Sequence, residues 1–561
     1  MRLLADLDVL VVDCQATGAS PAYGSVLEIG WGVVRANRPE LLSAEAHWVA
    51  LPSGHHVPPQ VRKLTGYEEK AGESALEDAL LWRRLLAACS EAAPIPTAIH
   101  FARFELPFLH EWAARFEPES PFPLDAVCVH AIANRLYPDL PRQSLRALAG
   151  FLGHSLHLTR RSLGHVEATA FVWRRLCSEL EQRGVVSWEQ LLAFLEERAP
   201  KKTRSKKPKY PIDPQRYRSL PDEPGVYRFC RSNGDVVYVG KAASLKKRVS
   251  SHFTGRGGTL QSPEMLTQVS AIEVTVVASA LEAALLESET IKALNPPYNV
   301  QLTGAGQAVW YVAHDFMAAS NARTSPDALG PVPSEFSLRP LAALVALLRG
   351  DEPTPALRAE AVGVSALWPP EEAVFAAGFA ELKSQHQDLR WREGEPPRRA
   401  ALALAKRFLL APVFTKDGEE AESAEGPDSD PRGWVPARVA RHLERAVAQA
   451  YRAYRRANWL SLLMNAEVVY REPGSSRVRL LVVERGVVLE GRDVELDYRP
   501  SRRVQRLRVG EEGFDRAMYD RLRILTTELK RICRDGGDVR VHWGPRRQLP
   551  VKLVSAAFAL V

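Results

Sequence analysis

Pro224-Gly225-Val226-Tyr227-Arg228-Phe229 and Val236-Val237-Tyr238-Val239-Gly240-Lys241, separated by Arg231-Ser232-Asn233-Gly234-Asp235, form the passage on which the reading of this chain turns. Both flanks are rich in β-branched and aromatic residues. An Asn-Gly pair between two such runs predicts a β-hairpin, because both positions tolerate positive φ. The hairpin sets Tyr227 near Tyr238, with Gly240 ending the second strand. Leu245 to Phe253 then reads as a helix that brings Arg248 over the sheet, with Lys247 and His252 on the same segment. Farther along, Ser279-x-x-Glu282 predicts an N-terminal capping box. On that helix Glu287 is the informative carboxylate, because Ala283, Ala284, Ile291 and Leu294 lie three, four or seven positions from it. A carboxylate on such an apolar face is costly unless paired or metal-bound. Pairing with Lys241 or Arg248, or a place at the edge of the stripe, stays open beside metal binding.

A chain of 561 residues is too long for one core and is expected to divide into several domains. The net charge of +7 modestly favours a polyanionic partner. Six scattered cysteines (Cys14, Cys89, Cys128, Cys177, Cys230, Cys533) include no Cys-x-x-Cys, which speaks against structural zinc or an iron–sulfur cluster and for a reduced, cytoplasmic setting. Asp6 and Asp8 interrupt the N-terminal apolar stretch, so it reads as a strand rather than a signal peptide. No apolar run is long enough to span a bilayer.

Outward from the hairpin, residues 1–183 alternate strand-like and helix-like segments. Strands are expected at Val9–Val12, Leu27–Val34 and Ile95–Ile99, and helices near Glu105–Arg115, Gln143–Phe151 and Glu167–Glu181. Residues 184–216 read as a short helix, opened by a Ser187-x-x-Gln190 box, followed by a basic linker. Its like-charged run, Lys201 to Lys209, reads as a solvated spacer or as a phosphate-contacting tether. The tyrosine-rich unit covers 217–302. Region 303–415 is expected to be mostly helical, 416–432 an acidic disordered linker, and 433–561 an α+β region. The last opens with a helix studded with Arg438, Arg441, Arg445, Arg452, Arg455 and Arg456. With Tyr451, Tyr454 and Trp459, that helix suits either a phosphate-tracking surface or a solvated outer face.

The unit at 217–302 resembles the GIY-YIG endonucleases, and within them the UvrC/Cho branch. The two name-giving motifs stand as Gly225-Val226-Tyr227 and Tyr238-Val239-Gly240. Leu220 to Pro224, Gly240-Lys241-Ala242, Leu245 to Phe253 and Pro297-Tyr298-Asn299 match that branch too. The resemblance implies a small α/β domain with one magnesium (or manganese) ion on Glu287. It further implies Arg248 offsetting charge on the phosphoryl oxygens and a tyrosine taking the proton from the attacking water. A free phenol titrates near pH 10, so Lys241, Arg248 and the metal would lower it. Either tyrosine suits the base; Tyr238 is preferred. Asn299, Lys247 and His252 are expected to position the site or contact DNA. Neither the second nuclease domain nor the helix-hairpin-helix module of UvrC is evident, so the architecture reads closer to Cho.

The first 180 or so residues resemble DEDD-type, DnaQ-like exonucleases. The resemblance rests on Val11-Val12-Asp13-Cys14-Gln15-Ala16-Thr17-Gly18, Leu27 to Gly30, His100 to Glu105, Asp125, Ser144 to Ala149 and Arg160 to Ala168. It implies an RNase H-like fold. The family holds two magnesium ions with an Asp-x-Glu pair; here Asp13 is kept but the glutamate is Gln15. Glu105 stands where an aspartate is usual, and Arg160 and His165 replace a histidine and an aspartate. Asp13 and Glu105 remain as metal ligands, and the site is expected to be impaired.

The sequence reading is therefore a multidomain α/β protein: an RNase H-like domain, a small α/β GIY-YIG domain and an α+β C-terminal region. The expected function is single-strand incision of DNA in repair, with damage-recognition or replication proteins as further partners and no membrane. An active 3′–5′ exonuclease of the DNA polymerase III epsilon type and a non-catalytic DNA-binding scaffold are the competing readings.

Overall fold

The computed structural model describes all residues except 1, 53–54, 90, 156–159, 198–208, 255–262, 300–308, 323–327, 366–367, 387–395, 411–432, 496, 499–514, 543–547 and 550–561. The expected acidic linker and most of the basic one lie outside the described residues. The chain divides into two units, Met1–Ala283 with Thr290–Thr303, and Ala284–Glu289 with Gly304–Val561.

In the first unit, β1 (Asp8–Ala16), β2 (Val26–Arg35) and β3 (Leu41–Trp48) form an antiparallel meander. Helices α1 (Pro59–Thr65) and α2 (Asp78–Ala87) lead to β4 (Ile95–Ile99), which pairs parallel with β1. Helix α3 (Ala102–Phe116) crosses over to the parallel β5 (Leu124–Cys128), giving the order β3-β2-β1-β4-β5. Then follow α4 (Val129–Leu136), α5 (Leu145–Phe151), α6 (Ser162–Glu181) and α7 (Trp188–Glu196). The continuous apolar runs of β1 and β2 are buried on both faces, as strands covered by helices must be. This is the mixed, helix-flanked sheet expected of an RNase H-like fold.

The sequence reading assigns α7 to the linker. Its capping box forms, but Trp188 and Leu191 are fully buried in the core with Trp173 and Leu176. The indole Nε1 donates to Asp125 at 2.7 Å, and Trp188 N to the Arg2 carbonyl at 2.9 Å. Burying a Trp side chain in this way is worth on the order of 2–3 kcal/mol, which holds α7 to the domain rather than to the linker.

The rest of the unit is α8 (Pro214–Arg218), β6 (Gly225–Cys230), β7 (Val236–Ala242), α9 (Leu245–Thr254), α10 (Pro263–Thr267) and β8 (Ala271–Val276), with the two ends of α11 (Ala280–Leu294), whose middle, Ala284–Glu289, is counted with the second unit. The strands make an antiparallel sheet ordered β7-β6-β8. The expected hairpin forms with two differences. Only Gly234 takes positive φ (92°); Asn233 instead uses its side-chain oxygen to accept Asp235 N at 3.0 Å. The second strand also runs past Gly240 to Ala242.

In the second unit, β9 (Trp310–Val312), β10 (Ala319–Ser320) and β11 (Leu329–Val332) form a small sheet ahead of α12 (Arg339–Arg349), α13 (Pro355–Val362), α14 (Glu372–Gln385) and α15 (Pro397–Leu410). The long α16 (Pro436–Leu463) packs into the same core. The sequence division at 433 therefore runs through a core, because α16 supplies Val439, Leu443 and Val447 to it. Tyr451 and Trp459 are also buried, so neither lies on a phosphate-tracking surface, and Tyr454 is half-buried. Beyond it, β12 (Ala466–Arg471), β13 (Val478–Glu484), β14 (Val487–Val494), α17 (Arg516–Arg534), β15 (Asp538–His542) and β16 (Gln548–Leu549) build a sheet ordered β14-β13-β12-β15-β16. That order repeats the one in the first unit. Its central pair β12·β15, however, is antiparallel where β1·β4 is parallel. Among the described residues, no helix is long and apolar enough to cross a membrane.

Candidate active site

Antiparallel register sets Tyr227 opposite Gly240 and Phe229 opposite Tyr238. Strand alternation therefore gathers these four residues on one face of the β6–β7 hairpin. The Tyr227 and Tyr238 rings lie 6.1 Å apart. Both motif glycines are sterically required. A Cβ on Gly240 would stand 2.4 Å from the Tyr227 hydroxyl and 2.9 Å from the Tyr238 ring. One on Gly225 would meet the Thr275 carbonyl at 2.5 Å and Leu245 at 2.7 Å. Gly240 lets a phenol lie flat across its strand, and Gly225 lets α9 and β8 close on β6.

Helix α9 covers the tyrosine face with His252 and Phe253. His252 Nε2 lies 2.7 Å from the Tyr227 hydroxyl, and both side chains are buried. Burial, then the neighbouring positive charge of Arg248, holds the imidazole near a pKa of about 4. The ring is thus neutral at physiological pH and shares one proton with the phenol. Arg248, one turn earlier and half-buried, is close enough to exert that effect. Tyr238 is only half-buried, whereas Tyr227 is sealed.

Asn299 clamps the strand from the other side. Its side-chain oxygen accepts Val239 N at 2.9 Å and its nitrogen donates to Val239 O at 2.8 Å. The preceding Tyr298 donates its backbone N–H to Val237 O at 3.2 Å. Lys241 is exposed, in register with Val226. Lys247 is a strongly exposed partner of Asp222 at 3.7 Å, so a solvated pair and not a buried contact holds it. Glu287 is half-buried on the middle turns of α11, whose start is capped by Ser279 accepting Glu282 N at 3.1 Å.

The N-terminal site comes together around β1. Asp13 Oδ1 faces His165 Nδ1 at 3.2 Å, where α6 approaches the strand. Glu105 on α3 accepts Cys14 N at 2.9 Å, and Gln15 donates to the Arg160 carbonyl at 2.7 Å. Arg160 itself is exposed. Burial, then the charge of Asp13, pushes the Glu105 carboxyl well above its ordinary range. Asp13 Oδ2 and Gln15 Oε1 are buried acceptors without a hydrogen-bond partner. Two carboxylates, one of them facing an imidazole, are a poor match for two magnesium ions, which need more oxygen ligands and more negative charge. Sequence reasoning did not single out the Glu28–Arg161 pair beside this site. Glu28 is fully buried, takes Ser162 N at 3.0 Å and pairs with Arg161, which stacks on Trp48 at 4.2 Å. Glu28 in a run of apolar strand residues was the available signal. Among the described residues no group of three or more His, Cys, Asp or Glu gathers as a metal cluster.

A hairpin that pairs a Gly-Val-Tyr with a Tyr-Val-Gly across an antiparallel sheet is the GIY-YIG class of fold, and residues 223–300 match the family model of the UvrC-like GIY-YIG domain. The chain carries such a domain behind an exonuclease-like N-terminal region. It is 31% identical over 248 residues to a Mycobacterium tuberculosis protein described as a candidate bifunctional exonuclease/endonuclease, covering 44% of this chain and 36% of that one. It is 44% identical over 137 residues to UvrABC system protein C of Alkalilimnicola ehrlichii, covering 23% and 22%. The chain thus spans about a third or less of the length of these relatives. Among solved structures, the magnesium-bound GIY-YIG N-terminal endonuclease domain of UvrC from Thermotoga maritima is 34% identical, covering 15% of this chain and 93% of that domain, with a TM-score of 0.14.

Proposed function

We propose that this protein is a DNA repair endonuclease of the UvrC/Cho kind, making a metal-dependent single-strand incision. The observation that carries the reading is the packed pair Tyr227–Tyr238 over Gly240, with the half-buried Arg248 and the buried His252 on the covering helix. Such geometry serves a reaction whose cost is charge, not carbon chemistry.

The donor set fits a single magnesium ion. Magnesium keeps several waters and takes one or two carboxylates plus substrate phosphates, and Glu287 offers one half-buried carboxylate. When bound, the ion supplies Lewis-acid polarisation of the phosphoryl oxygen and neutralises charge on the leaving oxygen. Tyr238 Oη, the less buried phenol, accepts the proton of the attacking water. Tyr227 is held by His252 and fixes the floor under that phenol. Arg248 donates to the non-bridging oxygens, Lys241 contributes positive charge near the strand, and Asn299 holds β7 in register. DNA is the substrate, reached in the cytoplasm alone or through damage-recognition or replication proteins.

The N-terminal domain is read as an impaired exonuclease fold, retained to bind DNA or a partner. With His165 against Asp13, its two carboxylates are a poor fit for a pair of magnesium ions. Nicking of supercoiled plasmid and lesion-bearing duplex in magnesium, wild type against Glu287→Ala, tests the proposal. Glu287→Ala should lose incision by at least a hundredfold while still retarding DNA. Equal nicking by both proteins would exclude the assigned centre.

A further inference from the structure

Within the first unit, α5 of the exonuclease-like region meets α10 of the GIY-YIG domain through side chains 120 positions apart. Ser144, the N-cap of α5, accepts Ala147 N and donates its hydroxyl to Glu264 at 2.8 Å. Arg146 lies 3.5 Å from the same carboxylate, and its guanidinium sits 5.7 Å over the Tyr298 ring. Tyr298 donates to Glu264 at 2.9 Å and accepts from Gln268 at 2.7 Å. Gln268, almost fully buried, accepts both Nε and a terminal nitrogen of the buried Arg231 at 3.0 and 2.9 Å. A Cβ on Gly150 would stand only 2.0 Å from the Gln268 side-chain oxygen, so the backbone of α5 rests directly on that amide. At the hairpin tip, Asn233 donates to Ser155 at 3.0 Å.

This network leads to the cleavage strand. The residue whose phenol it holds, Tyr298, bonds Val237 through its own backbone, and the next residue clamps both polar groups of Val239. Tyr238 lies between those two contacts. Each buried polar member is satisfied by the next, and removing one strands its neighbours without a partner.

We propose that α5 is an intramolecular docking surface for the endonuclease domain, and that Tyr298 is a positioning residue through which this docking fixes β7 and Tyr238. The proposal rests on the endonuclease reading for its activity readout only. It gives the exonuclease-like fold a role that needs no metal: its helix is a wall of the neighbouring domain, and Gly150 and Ser144 are set by what they press against.

The test uses the full chain with Gly150→Leu, which can be seated only by displacing the Gln268 side chain, and the milder Arg146→Ala and Tyr298→Phe. Two readouts are taken: magnesium-dependent plasmid nicking, and backbone hydrogen exchange across Val236–Ala242. Gly150→Leu should speed exchange in that strand and lower kcat roughly tenfold with KM for DNA unchanged. Arg146→Ala and Tyr298→Phe should fall between it and wild type, with Arg146→Lys recovering part of the loss. Unchanged exchange and unchanged kcat in a folded Gly150→Leu, or in Arg146→Ala and Tyr298→Phe together, overturns the docking proposal. Faster exchange in a chain whose wild type nicks nothing supports the docking and overturns the endonuclease reading, so the two fail separately.

Discussion

The Tyr227 hydroxyl and His252 Nε2 lie 2.7 Å apart in the interior of the GIY-YIG domain. Burial and Arg248 lower the His252 pKa from 6.5 to about 4. The unfolded chain therefore takes up a proton that the folded one refuses. Stability should be full above about pH 6.5 and should fall as the pH drops from there toward about 4, by up to roughly 3 kcal/mol. His100, also held near 4 by burial, titrates in the same window. Melting curves of wild type and His252→Gln between pH 7 and 5 separate the two. The variant should lose the His252 part of the pH dependence and keep that of His100, His154 and His542, which burial also lowers.

Gly240→Ala puts a methyl group 2.4 Å from the Tyr227 hydroxyl, against a ring that has no exposed side to move toward. Overpacking of this kind costs about 1–3 kcal/mol. Denaturant unfolding should register that loss, and incision should fall with it because Tyr227 and Tyr238 are both displaced. Wild-type stability together with wild-type nicking would contradict the close packing described above.

Asn299→Ala removes two hydrogen bonds to Val239 and leaves the strand's N–H and carbonyl without them. The expected cost is about 1–3 kcal/mol. Asn299→Asp keeps only the acceptor and sets a charged oxygen against the Val239 carbonyl, so it should fall to the alanine value or below it. Tm values of the two variants against wild type check the claim that both halves of the amide are used.

Glu105→Gln tests the N-terminal site without nucleic acid. The Glu105 carboxyl is raised by burial and by Asp13, so the folded state keeps a proton that the unfolded state releases above about pH 4.5. That difference lowers stability as the pH rises through and beyond this value. A glutamine still accepts Cys14 N and carries no charge. The variant should equal or exceed wild type in Tm at pH 8, with the advantage vanishing near pH 4. Loss of stability at pH 8 would mean that Glu105 is ionised and compensated.

How much of this was legible in the chain depends on how far apart the interacting groups lie. The hairpin, α9 and the capped α11 follow from local patterns, so their residues could be named in order. The place of α7 was not legible, because Trp188 acts through Arg2 and Asp125, which no window around it contains. The burial of Tyr451 was available and missed: Val439, Leu443, Val447 and Tyr451 recur every four residues, one apolar stripe, with arginines on the other side. His252 stood inside a quoted motif, but nothing local told that it would turn inward to a phenol rather than outward to DNA. The α5–α10 contact carries no local signature either, since it joins a serine, an arginine and a glycine to partners on a separate domain.

The Pro296–Asn299 loop has one more consequence. In the order β7-β6-β8 the hairpin's second strand is an outer one, and a bare outer strand invites pairing with another chain. Tyr298 and Asn299 occupy the hydrogen-bonding positions that such an intruder would use on Val237 and Val239. The loop therefore covers this edge, and a chain trimmed before residue 296 should leave β7 open to pairing with another strand.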